Sequence, residues 1–185
     1  MNIPNRLTLS RFVIAPLAAW VLLSGFFSSD YRDFIALCIF LAGASTDFLD
    51  GYIARSRDMI TTFGIFTDPV ADKVLLLCTM ISLVALGRMP PGLVIALVSR
   101  DTVMTGFRLI AAERQQVIAA LPLGKVKTVA EMLLAACLLM KPHMNIPQGL
   151  VFLLAAASVA FAYISLVQVL IQNRGLLKDT GQRQK

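Results

Sequence analysis

Long apolar runs alternate with short polar breaks along this chain, and the alternation occurs six times. A helix that crosses a bilayer needs roughly 20 mostly apolar residues to traverse ~30 Å of hydrocarbon. Segments 8–27, 34–56, 62–87, 91–114, 124–140 and 148–172 meet that requirement, some with polar interruptions. The fifth is short and borrows from its flanks. Ser28-Ser29-Asp30, Arg57-Asp58, Pro90-Pro91, Leu121-Pro122 and the stretch Pro142–Pro147 separate the runs, all of them polar or proline-containing breaks. Residues 1–7 are expected at the membrane interface, leading into the first span. The run to Phe27 lacks a clean small-x-small cleavage site, so it does not read as a removable signal. The pattern predicts an all-α integral membrane protein with six transmembrane helices. One domain is expected over residues 1–177, followed by a polar, basic, poorly ordered tail over 178–185.

Composition strengthens that picture. Only 15% of the 185 residues are charged and 57% are apolar, whereas soluble domains carry ~25% charged residues. A soluble enzyme, a disordered tail and a nucleic-acid module are all poor fits. The net charge of +6 is spread thinly between apolar runs, so no nucleic-acid partner is expected. The basic residues also orient the spans. With the amino terminus inside, Arg6, Arg11, Arg55, Arg57, Arg114, Lys125, Lys127, Arg174, Lys178, Arg183 and Lys185 fall on the cytoplasmic side. Arg32, Arg88 and Lys141 fall outside, and Lys73, Arg100 and Arg108 lie within spans. That bias places both termini in the cytoplasm. Cys38, Cys78 and Cys137 lie in apolar runs without metal-ligand spacing and read as small core residues. The single histidine, His143, falls in an external loop, which disfavours histidine-based catalysis.

Carboxylates within spans are costly, and they mark function unless they are paired. Asp47 and Asp50 occupy the second span, and Asp68 and Asp72 the third. The spacings i, i+3 and i, i+4 put each pair on one helical face. The connection near Arg57 is short, so the two helices are antiparallel neighbours, and all four acids fall in one layer below the cytoplasmic surface. At ~5 Å and an effective dielectric of ~20, each ionised pair repels by about 3 kcal/mol. Protonation, pairing with basic residues or hard divalent cations could offset that repulsion. Arg55 and Lys73 are the near basic candidates, too few for four acids. Oxygen-only ligands suit magnesium, manganese or calcium. Gly51, Ala54 and Gly64 lie on the same faces, which fits close helix packing or room for a bulky ligand. Arg55 would be a fork donor for phosphate oxygens. Acids, metal and arginine together describe a diphosphate held by two cations.

Written out, residues 47–72 read D-FL-D-G-YI-A-R-SRDMITTF-G-IFT-D-PVA-D. This resembles the signature of the CDP-alcohol phosphatidyltransferase family, D-x2-D-G-x2-A-R-x8-G-x3-D-x3-D, with all eight fixed positions present. The resemblance covers most of the chain, and the six-span pattern agrees with that family's helical fold. It implies that Asp47, Asp50, Asp68 and Asp72 bind two divalent cations (Mg or Mn), with Asp72 also the general base. It implies that Gly51, Ala54, Arg55 and Gly64 hold the cytidine nucleotide and its diphosphate. Asn5, Thr8 and Arg11 resemble the family's P-N-x-L-T-x-x-R start, which lies beside the nucleotide site. An interfacial helix with an anchoring arginine fits those residues equally well.

The signature leaves the acceptor alcohol open. Arg100 and Arg108 in the fourth span, with Lys125 and Lys127 at the start of the fifth, compose a cationic pocket expected to face the acidic layer. Lysines at a membrane edge also occur simply as snorkelling residues. Glu131 is i+4 from Lys127 and could pair with it, and Asp101 could pair with Arg100 or Lys73. A cationic pocket suits a phosphorylated acceptor. The runs S-R-D…F-R-L-I-A-A-E and G-K-V-K-T resemble the members that use glycerol 3-phosphate. The expected reaction transfers the phosphatidyl group from CDP-diacylglycerol to glycerol 3-phosphate by direct displacement, in phospholipid biosynthesis. Alternatives are another acceptor, as in cardiolipin synthase or phosphatidylinositol-phosphate synthase types, or a divalent-cation transporter. Transport should leave acids along the outer half as well, and none of the four signature acids falls there. A homodimer in a bacterial inner membrane, with the active site on the cytoplasmic side, is expected from the resemblance.

Overall fold

The computed structural model describes residues 3–56, 62–113, 115, 118 and 121–175, and the side chains of these except 3–8, 30, 47–56, 62–69 and 72. The described residues form six α-helices and no strand: α1 Ile3–Leu23, α2 Ser29–Ser56, α3 Thr62–Ala85, α4 Pro91–Glu113, α5 Pro122–Met140 and α6 Gln148–Gln172. Each coincides with one of the expected apolar segments. The amino-terminal stretch is not separate from the first helix, because α1 already begins at Ile3. Likewise α2 begins at Ser29, five residues before its apolar run, since a helix can extend through polar residues that periodicity assigns to a break.

Two compact units contain these helices. The first comprises Met1–Pro91 and Met132–Val151, the second Gly92–Glu131 and Phe152–Lys185. In the first unit α1 packs against both α2 and α3. Arg11, Ala15, Ala18 and Leu22 recur at helical spacing and are each at most 1% exposed, so small side chains let the neighbouring backbones approach. Pro16 sits inside α1 and donates no N–H to the preceding turn. At the far end of α3, Gly87 adopts a left-handed φ of 69°. That turn lets the amides of Arg88 and Met89 return to the Leu83 carbonyl at 2.9 and 3.3 Å, a glycine-terminated cap. The cap delivers Arg88 to Asp33 of α2, where Nη2 donates to Oδ2 at 2.8 Å. Arg32 Nε lies 3.5 Å from the other oxygen of this fully buried carboxylate.

In the second unit α4 buries Val94, Leu97, Arg100, Met104, Phe107 and Ala111, a run of three- and four-residue steps that lines one face. Met104, Phe107 and Ala111 form a core with Leu166 and Val169 of α6. Tyr163 Oη donates to the Ala96 carbonyl at 3.2 Å. Outward faces remain apolar: Val13, Phe26, Ile95, Leu109, Phe152, Leu153 and Ile171 are each more than 60% exposed. Among the described residues, α6 is the helix long and apolar enough to cross a membrane by itself.

Candidate active site

The side chains of Asp47, Asp50, Asp68 and Asp72, of Asn5 and Thr8, and of Gly51, Ala54, Arg55 and Gly64 lie outside the described residues. Their backbones are helical, and described neighbours establish which helix faces meet. A Cβ added to Gly43 of α2 would lie 2.7 Å from Leu75 Cδ2 of α3 and 3.4 Å from Ile14 Cγ2 of α1. Three helices therefore converge on a position that only glycine fits without displacement. Positions 47, 50 and 54 follow Gly43 on one stripe of α2 by helical periodicity, and positions 64, 68 and 72 share the Leu75 stripe of α3. The contact between Gly43 and Leu75 thus lies, by helical periodicity, on the stripes that carry the signature positions.

Register follows from the same contact. Gly43 and Leu75 lie equally far from the ends of α2 and α3 that the five residues 57–61 connect, so the helices run antiparallel. At ~1.5 Å per residue, stepping from that contact toward the connection brings positions 50 and 68 to one level. Positions 54 and 64 then share the next. Stepping from Ile14 in the opposite sense along α1 brings position 11, then 8 and 5, to the same depth as 46 to 52. Arg11 is fully buried in this layer. The fold therefore gathers at backbone level the segments that sequence analysis singled out from three different helices.

The second unit holds the remaining candidates, and here side chains are described. Arg100 Nη1 donates to Asp101 Oδ1 at 2.8 Å, Nε donates to the Ala162 carbonyl at 2.8 Å, and Nη2 donates to Ser165 Oγ. Lys127 Nζ donates to the other Asp101 oxygen at 2.8 Å and lies 2.8 Å from Glu131 Oε1. Arg108 and Lys125 are exposed. The four cationic candidates thus divide: Arg100 and Lys127 are buried and answered by carboxylates, whereas Arg108 and Lys125 present their heads outward. Of the two partners considered for Asp101, Arg100 is one in fact, and Lys127 is the other cation bonded to it. The pairing of Glu131 with Lys127 is present.

Sequence reasoning missed two polar arrangements and one packing glycine. Asp33 with Arg88 was hidden because the partners lie 55 residues apart and both arginines near Asp33 read as loop cations. Ser165 and the Ala162 carbonyl carry no charge, so nothing in the sequence marks them as a seat for Arg100. Gly43 was obscured by the run of small residues around it, although its i, i+4, i+7 relation to Asp47 and Asp50 was available.

Comparison with known proteins places the chain in a family. The family described as CDP-alcohol phosphatidyltransferase matches residues 1–169, a span that runs from α1 nearly to the end of α6. A Bacillus subtilis protein named CDP-diacylglycerol–glycerol-3-phosphate 3-phosphatidyltransferase is 35% identical over 159 residues, 81% of each chain. Escherichia coli K12 has a protein of the same name that is 33% identical over 96% of this chain and 98% of its own length. A third of that name, from Rickettsia felis, is 30% identical over 75% of each chain. The chain is a member of the CDP-alcohol phosphatidyltransferase family.

Proposed function

We propose that this protein transfers the phosphatidyl group from CDP-diacylglycerol to glycerol 3-phosphate, giving phosphatidylglycerophosphate and CMP, a step of phospholipid biosynthesis. One observation carries the reading: the complete eight-position signature is present, on two antiparallel helices that meet at the Gly43–Leu75 contact. The names and coverage of the relatives select the donor and acceptor from among the reactions open to that signature.

Asp47, Asp50, Asp68 and Asp72 would hold two divalent cations, Mg or Mn. Four carboxylates on facing helices, level at positions 50 and 68, form an all-oxygen donor set suited to hard cations. Bound there, the cations supply neutralisation of the diphosphate and of the charge that develops on the leaving CMP. Gly51, Ala54 and Gly64 leave room for the nucleotide beside the acids, and Arg55 presents a guanidinium fork to phosphate oxygens. Asn5, Thr8 and Arg11 border the same layer on α1. Asp72 takes the proton from the primary hydroxyl of glycerol 3-phosphate. That oxygen forms a bond to the phosphorus carrying diacylglycerol, the bond from this phosphorus to the CMP oxygen breaks, and CMP departs with the bonding pair. Arg100, Arg108, Lys125 and Lys127 serve the acceptor's phosphate.

The six helices are read as transmembrane, with both termini and the acidic layer on the cytoplasmic side of a bacterial inner membrane. The apolar outward faces and the distribution of Lys and Arg support this. A homodimer is the proposed assembly. The deciding experiment supplies purified protein with CDP-diacylglycerol and a panel of labelled acceptors, with and without a chelator. Labelled phosphatidylglycerophosphate formed from glycerol 3-phosphate and lost on chelation is expected. Preference for another alcohol, or turnover indifferent to chelator, overturns the acceptor or the metal assignment respectively.

A further inference from the structure

The second unit contains four buried or half-buried charges, and the proposed transfer uses the two cations but gives the two carboxylates no role. Arg100, Lys127 and Glu131 are at most 7% exposed, and Asp101 is 23% exposed. Within the cluster each cation already meets a carboxylate at 2.8 Å. Buried ion networks seldom add stability over an apolar core of the same volume. A cluster of this kind is therefore better understood by the geometry it imposes.

That geometry has a direction. On α6, the Ala162 carbonyl and Ser165 Oγ seat the Arg100 guanidinium, and Ser165 Oγ itself donates to the Ala162 carbonyl at 2.9 Å. The seated guanidinium grips one oxygen of Asp101. The second oxygen of Asp101 takes a hydrogen bond from Lys127 of α5. Glu131 lies at ion-pair distance from the same ammonium, but its Oε1 has no hydrogen-bond partner. The Asp101 bond is thus the oriented one. Lysine is a flexible four-carbon stem with three donors, and unrestrained it would lose considerable rotamer entropy on meeting a phosphate. Held on Asp101 and flanked by Glu131, both at 2.8 Å, it is already ordered by two of the partners its three donors can take.

We propose that Asp101 is a positioning residue for the acceptor: seated through Arg100 on α6, it orients Lys127 so that the ammonium meets the phosphate of glycerol 3-phosphate. This rests on the reading that Lys127 serves the acceptor. Asp101 itself touches no reacting atom. Its influence should therefore appear in acceptor binding and vanish when Lys127 is absent.

The test is a double-mutant cycle on purified enzyme, with KM for both substrates and thermal midpoints recorded for each protein. Asp101→Asn keeps size and one acceptor oxygen but loses the charge. It should raise the acceptor KM about tenfold while the CDP-diacylglycerol KM stays within about twofold. Asp101→Glu, which restores the carboxylate, should recover most of that loss. Lys127→Met should raise the acceptor KM at least as much, and adding Asp101→Asn to it should change the acceptor KM no further. A purely structural role predicts otherwise: a lower thermal midpoint, reduced kcat, both KM values moving together, and additive effects in the cycle. Those results would overturn the proposal. An unchanged acceptor KM in Lys127→Met removes Lys127 from the acceptor and the proposal falls with that reading. A raised KM in Lys127→Met beside an unchanged one in Asp101→Asn sinks the positioning role alone.

Discussion

In the first unit, helices α2 and α3 bring four carboxylates into residues 47–72, with Arg55 and Lys73 the near basic residues in sequence. In the second unit, Arg100, Asp101, Lys127 and Glu131 match two charges against two, with contacts of 2.8 Å between Asp101 and each cation. Both sets of charges fall in apolar runs of the sequence, but their balance of signs differs. The second is closed: each carboxylate has a cation from the same unit. By sequence the first sets four acids beside two near basic residues, an excess of negative charge that the proposed divalent cations would offset. A closed cluster can be dismantled in pairs with modest consequence, whereas an open one fails when any ligand is lost. The contrast predicts different responses to substitution at the two clusters.

The sharpest break in that comparison is Asp72→Asn. The amide keeps the shape and loses the proton acceptor, so turnover should fall by about 10²–10⁴-fold, the range expected for a positioned general base. Binding of CDP-diacylglycerol in the presence of Mg should persist, measured by equilibrium binding to the purified variant. Near-normal turnover would take the base role from Asp72.

Asp33 provides the counter-case inside the first unit. It is fully buried and bonded to Arg88, yet it precedes Asp47 on α2 by about 21 Å of helix. Asp33→Asn leaves arginine donors facing an amide, and breaking a buried pair of this kind costs ~3–5 kcal/mol. A large fall in the thermal midpoint, with both KM values unchanged at a temperature where the variant is folded, is expected. A selective change in either KM would mean that this paired charge also serves the substrates.

The helical layout is largely legible in the sequence. Six apolar runs became six helices because hydrophobic patterning and proline-rich breaks act locally, and the signature acids announced themselves because carboxylates within apolar runs are rare. The helix starts were less legible: Ser29 and Ile3 begin helices inside polar stretches, where the apolar count says nothing. Less visible still were contacts made across sequence. Nothing near Arg100 reveals that a backbone carbonyl and a serine of α6 hold it, and nothing near Leu75 reveals that it fills the notch at Gly43. Such contacts depend on which helices become neighbours, a property of the whole chain.

The Gly43 notch tests whether the acidic stripes need their close approach. Gly43→Val places a branched side chain where Leu75 Cδ2 already lies. Overpacking of this sort costs ~1–3 kcal/mol, and displacement of α2 from α3 should lower kcat at saturating metal. Leu75→Ala in the same chain makes room and should restore part of kcat while the thermal midpoint stays low. Failure of the second substitution to restore any activity would mean that the spacing of these helices at this contact does not govern the acids.

The smallest effect belongs to the exposed cations, and it sharpens the contrast from the other side. Lys125 and Arg108 have no carboxylate partner among the described contacts. Removing either therefore strands no buried charge, and stability should change by no more than ~0.5 kcal/mol, as for ordinary surface substitutions. If they greet the acceptor's phosphate, Lys125→Ala and Arg108→Ala should each raise the acceptor KM by about three- to tenfold and leave the CDP-diacylglycerol KM in place. A partly exposed ion pair is screened, so the penalty should shrink as ionic strength rises. Initial rates across a glycerol 3-phosphate series at two salt concentrations measure both effects. Equal shifts in the two KM values would mean that these cations attract negative substrates in general. A shift confined to the acceptor would assign them the phosphate.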